Sequence, residues 1–281
     1  MRTLIFGGDE RQIFAAKYLK DAGYDADVFA IDTEDFKSTK TNELCNGSYG
    51  SYNSIVFPLP FSVDGSNINC PLSSKNFNAI EVFKKLKKNT LVLAGKVGSF
   101  HKNAASEFGL RLIDYYDSDQ FQISNAVPTA EGAIWTLMNH SKKTVFGSRI
   151  AVSGCGKVGK CLADRLVKLG ADVSVAARNK KDIAWAVSMG MNGMGIDKLV
   201  SDIEGYDCLF NTVPCNIFDR CFVEKMNKET LYIELASKPY GMDRECSELL
   251  GDRYIPAPSL PGKTAPVTAG TIIGRTVADY L

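Results

Sequence analysis

Short apolar runs alternate along the chain with longer amphipathic stretches, a pattern typical of βα units that share a parallel sheet. In the first half of the chain, the pattern predicts strands at residues 3–6, 26–30, 55–58, 90–94 and 111–114, with helices at 11–22, 76–86 and 104–108. In the second half, it predicts strands at residues 149–153, 172–176, 208–211, 231–235 and 254–255, with a last helix at 268–281. Two α/β domains are therefore expected.

The expected domain boundaries place one α/β domain at residues 1–124 and a second at 146–257. Residues 125–145 are expected to join them through a helix at 130–140, which Thr129 caps and which carries Glu131 in its first turn, where a carboxylate suits the helix dipole. Residues 258–281 are expected to form a rigid loop and a C-terminal helix that packs back toward the N-terminal domain. The predicted fold class is α/β, with two Rossmann-like or flavodoxin-like parallel-sheet domains.

A glycine-rich turn follows the first predicted strand of the second domain. Gly154, Gly156 and Gly159 form a G-x-G-x-x-G motif between an apolar strand and a helix, and a further strand comes next. In this context the glycines allow a tight turn, a close approach of the backbone to a pyrophosphate and close packing of the helix on the sheet. Lys157 and Val158 begin the helix, whose free N–H groups favour phosphate. The motif predicts a dinucleotide site.

The end of the following strand indicates which dinucleotide binds. NAD sites usually carry Asp or Glu there, which accepts hydrogen bonds from the ribose hydroxyls. This chain has Arg178, Asn179 and Lys180 instead, and no carboxylate before Asp182. Arg178 is suited to stack on adenine and to form paired hydrogen bonds with a 2′-phosphate, and Asn179 and Lys180 add donors. NADP is therefore expected rather than NAD; the alternative is a solvated basic turn.

A second candidate cofactor segment ends the predicted strand 208–211. In open α/β sheets, ligands bind at the carboxyl ends of the strands. Thr212, Val213 and Pro214 follow Asn211 at such an end. They are candidates for shaping a nicotinamide pocket, with a plain strand end as the alternative.

Composition excludes several classes of protein. The 281 residues include 33 Lys and Arg against 32 Asp and Glu, a net charge of +1, which argues against binding nucleic acid through a basic field. No apolar stretch approaches the roughly 20 residues of a membrane span, and the first apolar run is too short for a signal peptide, so a cytoplasmic location without membrane contact is expected. The two histidines, His101 and His140, lack Cys or Asp neighbours at ligand spacing, so no metal site is expected.

Several segments together carry a resemblance to a known family. They read GGDERQ at 7–12, NAVPTAEG at 125–132, GCGKVG at 154–159, AAR at 176–178, NTVP at 211–214, ELASKPYG at 234–241 and LPGKTAPVTAG at 260–270. The chain resembles, over essentially its whole length, the A subunit of dipicolinate synthase. The resemblance implies a two-domain layout like that of D-2-hydroxyacid dehydrogenases, and NADP-dependent formation of pyridine-2,6-dicarboxylate from a hydroxy-tetrahydrodipicolinate or dihydrodipicolinate intermediate of the lysine pathway.

The same resemblance implies a partner and a place in the cell. Members of the family work with a flavoprotein-like B subunit during spore formation, which suggests the mother cell of a sporulating bacterium. A homo-oligomer is compatible with this arrangement.

The implied substrate carries two carboxylates, which need two sites rich in cations or N–H groups. Arg11 is the candidate for one, with Gln12 beside it, and Lys263 with the N-terminus of the last helix is the candidate for the other. Lys263 is also a candidate catalytic residue. The remaining candidates are Asn125 and Thr129, which orient the ring or its hydroxyl, and Asp9 or Glu131, which shuttle a proton if burial raises the pKa.

Two alternatives stay open. One is an NADP-dependent 2-hydroxyacid-type dehydrogenase of the same layout, although those enzymes use a late His as acid and base, and here no His follows His140. The other is a non-catalytic dinucleotide-binding subunit that supports a partner flavoprotein.

Overall fold

The computed structural model describes residues 2–33, 49 and 51–281. The chain divides into two compact units, of which the first comprises Met1–Asn125 and Ala265–Leu281 and the second comprises Ala126–Thr264. The C-terminal segment therefore belongs to the same unit as the N-terminus. Within the described ranges, no helix is both long and apolar enough to cross a membrane.

Among the described residues, the first unit contains a parallel five-stranded sheet in the order β2-β1-β3-β4-β5. This is the flavodoxin-like order, in which the direction of winding reverses between β1 and β3. The strands are β1 (Arg2–Phe6), β2 (Asp25–Phe29), β3 (Ser54–Val56), β4 (Leu91–Ala94) and β5 (Arg111–Asp114). The helices are α1 (Glu10–Asp21), α2 (Ala79–Lys84) and α3 (Ser99–Glu107), with a 3-10 turn at Tyr115–Asp117.

The helix α4 (Asp119–His140) begins in the first unit and ends in the second. The second unit then contains a parallel six-stranded sheet, in the order β11-β10-β9-β6-β7-β8. Counted from β6, this is the Rossmann order, with its reversal between β6 and β9. The strands are β6 (Arg149–Ser153), β7 (Asp172–Ala176), β8 (Asn192–Met194), β9 (Cys208–Asn211), β10 (Leu231–Glu234) and β11 (Tyr254–Pro256). The helices are α5 (Lys157–Lys168), α6 (Lys180–Ser188), α7 (Ile196–Asp202), α8 (Arg220–Lys225), α9 (Arg244–Leu250) and α10 (Leu260–Thr264), with 3-10 turns at Ile203–Gly205 and Gly251–Arg253.

The helix α11 (Pro266–Ala278) packs against α1 in the first unit. Two glycines make this close approach possible. A Cβ on Gly270 would meet the carbonyl oxygen of Arg11, and a Cβ on Gly274 would lie 2.9 Å from the carbonyl oxygen of Ala15. Ile272, Ile273 and Val277 of the same helix are buried in the core of this unit.

The central strands of both sheets are buried and largely apolar, as expected when helices cover both faces of a parallel sheet. Every residue of β3, β4 and β9 is buried. Among the residues that the structure describes, each unit has two apolar clusters of its own, one on each face of its sheet.

Two features differ from the expectation for the segments that join the units. The helix predicted to begin after Thr129 is the second half of α4, and Pro128 lies inside it. Thr129 is therefore not an N-cap. A proline inside a helix removes its own N–H from the ladder, and its ring crowds the carbonyl four residues earlier. Phe121, Ala126 and Ala130 on this helix are buried, so packing holds both halves of α4.

The segment before the last helix also differs, because the sequence predicts that Lys263 lies in a rigid loop there. Instead, Lys263 lies in the short helix α10, and α11 begins at Pro266 with proline in its first turn. Proline is favoured there because the first N–H groups of a helix have no partner within it.

Candidate functional site

The reversal of winding in the second sheet brings the ends of β6 and β9 together, which is where ligands bind in folds of this type. The backbone N–H of Thr212 donates to the carbonyl of Ser153 at 2.9 Å, and the Thr212 hydroxyl donates to the same oxygen at 2.8 Å. The two candidate cofactor segments, 154–159 and 212–214, are therefore neighbours in space. The structure brings these predicted residues together.

The glycines of the 154–159 loop differ in the space around them. Gly154 has a φ of +98°, and a Cβ there would meet the Thr212 hydroxyl. A Cβ on Gly159 would meet the carbonyl oxygen of Gly154, so this residue lets α5 pack against the turn. Around Gly156, in contrast, no described atom beyond the residue and its two chain neighbours lies within 4 Å of the position that a Cβ would take. Protein atoms therefore fill the space beside the first and third glycines of the loop, and the space beside the second glycine is open to a ligand.

The start of α5 has the properties of an anion site. Gly156 is the N-cap and provides no side-chain hydrogen bond to the first turn, in which no acidic residue stands. Lys157 and Val158, both partly buried, are the first two residues of the helix. A dinucleotide pyrophosphate fits this arrangement, because the open side of the turn lies at the positive end of a 12-residue helix.

The basic turn after β7 lies on the surface. Arg178, Asn179 and Lys180 are exposed, whereas Ala177 before them is buried. The Asn179 side chain accepts a hydrogen bond from the Asp182 N–H at 3.1 Å, so its oxygen caps α6. This cap fixes the direction in which the turn leaves the sheet, with Arg178 immediately before it.

A buried polar network that the sequence did not reveal lies at the ends of β9 and β10. Asn211 is fully buried, and its Nδ2 donates to Glu234 Oε1 at 2.8 Å and to the Val213 carbonyl at 3.0 Å. Its Oδ1 accepts from the Ser153 hydroxyl and from the Val213 N–H, each at 3.1 Å. Glu at the end of the apolar run LYIE was the available signal for this network.

In the first unit, the corresponding reversal of winding lies between the ends of β1 and β3. Gly7 and Gly8 follow β1 with positive φ, and a Cβ on Gly8 would lie 3.0 Å from Cβ of Pro58, just after β3. Asp9 caps α1 by accepting from the Arg11 N–H at 3.1 Å. The sequence GGDERQ therefore places its charged residues at the ligand-binding edge of this sheet.

The Arg11 side chain is buried and held by the protein. Its Nε and Nη2 donate to the two oxygens of Asp9, each at 2.8 Å, and Nη2 also donates to the Leu59 carbonyl at 2.6 Å. The exposed fraction of the side chain is 7%, against 33% for Asp9. Arg11 therefore neutralises Asp9 and fixes the segment after β3, and two of its three guanidinium nitrogens are engaged in this way.

Gln12 has a different environment. Its side chain is 1% exposed, and neither Nε2 nor Oε1 has a hydrogen-bond partner in the described part of the chain. An unpaired buried amide is rare in folded proteins, because its desolvation is not repaid. Gln12 therefore has unused hydrogen-bonding capacity beside Gly8.

The candidates on α4 occupy successive turns. Asn125 and Thr129 are partly buried and four residues apart, so they lie on the same face of the helix. Glu131 is 61% exposed at its side chain and lies 3.4 Å from Arg165. The proton-shuttle role for Glu131 required burial, and the structure does not provide that burial.

Lys263 is exposed on α10 and lines a cavity of about 570 Å³ in the second unit, together with Trp135, His140 and Tyr254. Its helix lies against α4 at Gly132, where a Cβ would approach the Thr264 hydroxyl to 2.8 Å. In residues 2–33, 49 and 51–281, no three His, Cys, Asp or Glu side chains are grouped as a metal site requires.

The fold and the glycine turn define a two-domain α/β protein with the dehydrogenase architecture. The apo-structure of D-lactate dehydrogenase from Escherichia coli has this fold, with a TM-score of 0.62 at 13% identity, and the match covers 100% of this chain and 96% of that chain. At this identity the likeness concerns the fold alone.

Closer matches are to dipicolinate synthase A subunits. Residues 2–116 match the family described as the N-terminal domain of the dipicolinate synthase A subunit. The A subunit of dipicolinate synthase from Bacillus subtilis (strain 168) is 27% identical over 286 residues, covering 100% of this chain and 96% of the relative. The crystal structure of the corresponding A subunit from Bacillus halodurans has a TM-score of 0.87 at 28% identity, covering 99% of this chain and 97% of that chain. The chain is thus similar to dipicolinate synthase A subunits over its whole length, in agreement with the resemblance found in its motifs.

Proposed function

We propose that the chain is the NADP-dependent subunit of a dipicolinate synthase. The observation that carries the proposal is the turn at 154–159, which is closed by protein atoms at Gly154 and Gly159 and open at Gly156, directly before an uncapped helix N-terminus. This is the arrangement that a bound pyrophosphate requires.

The choice of NADP rests on the turn after β7. An exposed guanidinium at Arg178 and an exposed ammonium at Lys180 stand where an NAD site needs a carboxylate. A 2′-phosphate carries up to two negative charges and accepts several hydrogen bonds, so it gains most from an arginine at this position.

The substrate class follows from the name of the relatives. Dipicolinate is an aromatic dicarboxylate, and its dihydro precursor reaches it by losing a hydride and a proton after water has left the hydroxy-tetrahydro form. Bound NADP⁺ would supply the hydride acceptor. Aromatisation favours the reaction, so the protein mainly has to bind and orient the ring and to accept one proton.

The residues of this chain divide these tasks. Gln12 offers an amide that has no protein partner among the described residues, and Asn125 with Thr129 offers a polar face on α4. Asp9 is proposed as a proton acceptor, and it would have to release at least one of its two hydrogen bonds from Arg11 to take up the proton. Arg11 acts on the substrate through Asp9 and the Leu59 segment. Lys263 supplies an exposed cation for a carboxylate in the second unit.

A flavoprotein-like B subunit is the proposed partner, since the named relatives are A subunits. The proposal extends to spore formation and to a cytoplasmic site of action. The chain alone is expected to carry the redox step, rather than to serve as a passive dinucleotide-binding subunit.

The test is to incubate the purified chain with NADP⁺ and freshly generated hydroxy-tetrahydrodipicolinate, and to follow dipicolinate and NADPH in the ultraviolet. Equal amounts of both products are expected from the chain alone. Products that form only after addition of the B subunit would give this chain only a supporting role. Turnover of a 2-hydroxyacid with no dipicolinate would favour the hydroxyacid dehydrogenase alternative.

A further inference from the structure

The carboxylate of Glu234 is an unusual feature of the second unit. The residue is 2% exposed at the end of β10 and accepts four hydrogen bonds. The donors are Asn211 Nδ2 at 2.8 Å, the Ala236 N–H at 2.9 Å, the Gly241 N–H at 2.8 Å and the Tyr232 hydroxyl at 3.3 Å. All four donors are uncharged groups. Burial raises the pKa of Glu234, and the hydrogen bonds act against this rise.

A buried carboxylate held only by neutral donors is costly, because desolvation of the charge is opposed by hydrogen bonds alone. An apolar residue at this position would serve the core at lower cost. Glu234 instead connects three separate parts of the chain through the hydrogen bonds that its two oxygens accept. These parts are the end of β9, residue 236 and residue 241.

The first connection fixes an amide. Because Oε1 accepts from Asn211 Nδ2, the Asn211 oxygen must face the other way, where it accepts from the Val213 N–H. The Val213 carbonyl in turn accepts from Asn211 Nδ2 at 3.0 Å. The orientation of the Asn211 amide, and with it the backbone of Val213, is therefore set by Glu234 together with the peptide groups of Val213 and the Ser153 hydroxyl.

The second connection fixes a loop. Glu234 binds both ends of residues 236–241, within which Tyr240 has a φ of +66°. Gly241 is packed so closely that a Cβ would meet Asn211 Nδ2 and the Tyr232 hydroxyl. Such a backbone conformation persists only where surrounding contacts impose it, and Glu234 supplies two of those contacts.

We propose that Glu234 is a positioning residue for the nicotinamide half of the dinucleotide site, acting through Asn211, Val213 and the 236–241 loop. This inference rests on the proposed dinucleotide binding. Val213 and Thr212 close one side of the phosphate turn at Gly154, whereas the adenosine half depends on Arg178 after β7, on the opposite side of β6 from β9 and β10. Loss of Glu234 is thus expected to affect the two halves of the cofactor differently.

The experiment measures the Kd of NADP⁺ and of its fragment adenosine 2′,5′-bisphosphate by calorimetry, for the wild-type chain and Glu234→Gln. The glutamine amide places an NH₂ group against backbone or side-chain donors, so the loop and Asn211 must rearrange. We expect NADP⁺ to bind about tenfold more weakly, as for loss of a hydrogen bond to a charged group, and the fragment to bind as in the wild type. Glu229→Gln, at an exposed position just before β10, is the matched control and should leave both constants unchanged.

A milder variant keeps the test decisive if Glu234→Gln does not fold. Tyr232→Phe removes only one donor to Glu234 and should weaken NADP⁺ binding about two- to threefold, with no effect on the fragment. Equal losses for both ligands, or no loss for either, would overturn the positioning role. A wild-type chain that binds neither ligand would instead contradict the proposed dinucleotide site itself.

Discussion

Arg178 is the single side chain on which the proposed cofactor preference depends. It is exposed, and no carboxylate follows it before Asp182, so it has the freedom to meet a 2′-phosphate. Arg178→Ala should weaken NADP⁺ binding roughly 10- to 100-fold, the range expected for paired hydrogen bonds between charged groups, and should weaken NAD⁺ binding much less, since NAD⁺ loses only the stacking contact with adenine. Calorimetric titration with both dinucleotides measures this, with Lys181→Ala, an exposed neighbour, as the control. An unaltered NADP/NAD ratio would contradict the assignment.

Gln12 allows stability and activity to be separated. Its amide is buried without a partner among the described residues, so replacing it by the similarly long but apolar Met removes a desolvated polar group. We expect the free energy of unfolding of Gln12→Met to rise by about 1–3 kcal/mol, and its dipicolinate formation to fall. Denaturant titration and the ultraviolet assay measure the two effects.

The control for this variant is Gln122→Met. The Gln122 amide donates to the Tyr116 carbonyl at 2.8 Å, so this replacement leaves a carbonyl without its donor and should lower stability. If Gln12→Met loses stability as well and retains full activity, Gln12 has a packing role only.

At the scale of elements, the two glycines of the turn before α5 are expected to respond differently to replacement by alanine. Ala at position 159 would meet the backbone oxygen of Gly154, whereas Ala at position 156 would meet no protein atom within 4 Å. Gly159→Ala should therefore reduce the free energy of unfolding by about 1–3 kcal/mol. Gly156→Ala should change it by less than about 1 kcal/mol, yet weaken NADP⁺ binding at least about tenfold, because the methyl group takes the space of the pyrophosphate.

Thermal unfolding and calorimetry on the two glycine variants distinguish these effects. A Gly156→Ala protein that binds NADP⁺ as well as the wild type would show that the open side of the turn is not where phosphate lies. The pair needs no further control, since each variant serves as the control for the other.

The elements themselves show what a sequence can and cannot predict. The boundaries predicted for β5, β6, β7 and β9 agree with the structure, because each strand has an apolar centre with a charged or polar residue at one end or both. The strand β8 was missed, since its three residues, Asn192–Met194, include a glycine and carry no apolar run. The first half of α4 was missed because Pro128 and Thr129 together imitate a helix start.

The candidate site was predictable only where its chemistry is local. Gly154–Gly159 and Arg178 belong to one continuous strand–turn–helix–strand segment, so their spacing carries the information. Glu234 accepts hydrogen bonds from Asn211, which lies 23 positions before it, and from Gly241, which lies 7 positions after it. Only folding brings these residues together. Likewise, nothing in GGDERQ distinguishes the paired guanidinium of Arg11 from the unpaired amide of Gln12.

At the scale of the whole molecule, the few histidines indicate that the chain does not share the acid–base chemistry of the hydroxyacid dehydrogenases whose fold it has. The chain shares its architecture with D-lactate dehydrogenase, but its two histidines both precede the Rossmann-like sheet. Proton transfer in the proposed reaction therefore falls to a carboxylate or to water. A reaction that ends in an aromatic ring tolerates this, because aromatisation supplies driving force that a hydroxyacid oxidation lacks.

The division into two units predicts which residues each ligand protects from hydrogen–deuterium exchange. NADP⁺ binds Ala126–Thr264 in the proposal, and a ligand that binds only the folded state stabilises it by about 2.7 kcal/mol at 100 times its Kd. Hydrogen–deuterium exchange with NADP⁺ should therefore slow at residues 154–160 and 212–214, and not at 7–12. Addition of dipicolinate should then slow exchange at 7–12, where Gly8, Asp9 and Gln12 lie. The Gly156→Ala variant should lose the first effect. Uniform protection of the whole chain by NADP⁺ alone would contradict the placement of the cofactor residues in the second unit and of Asp9 and Gln12 in the first.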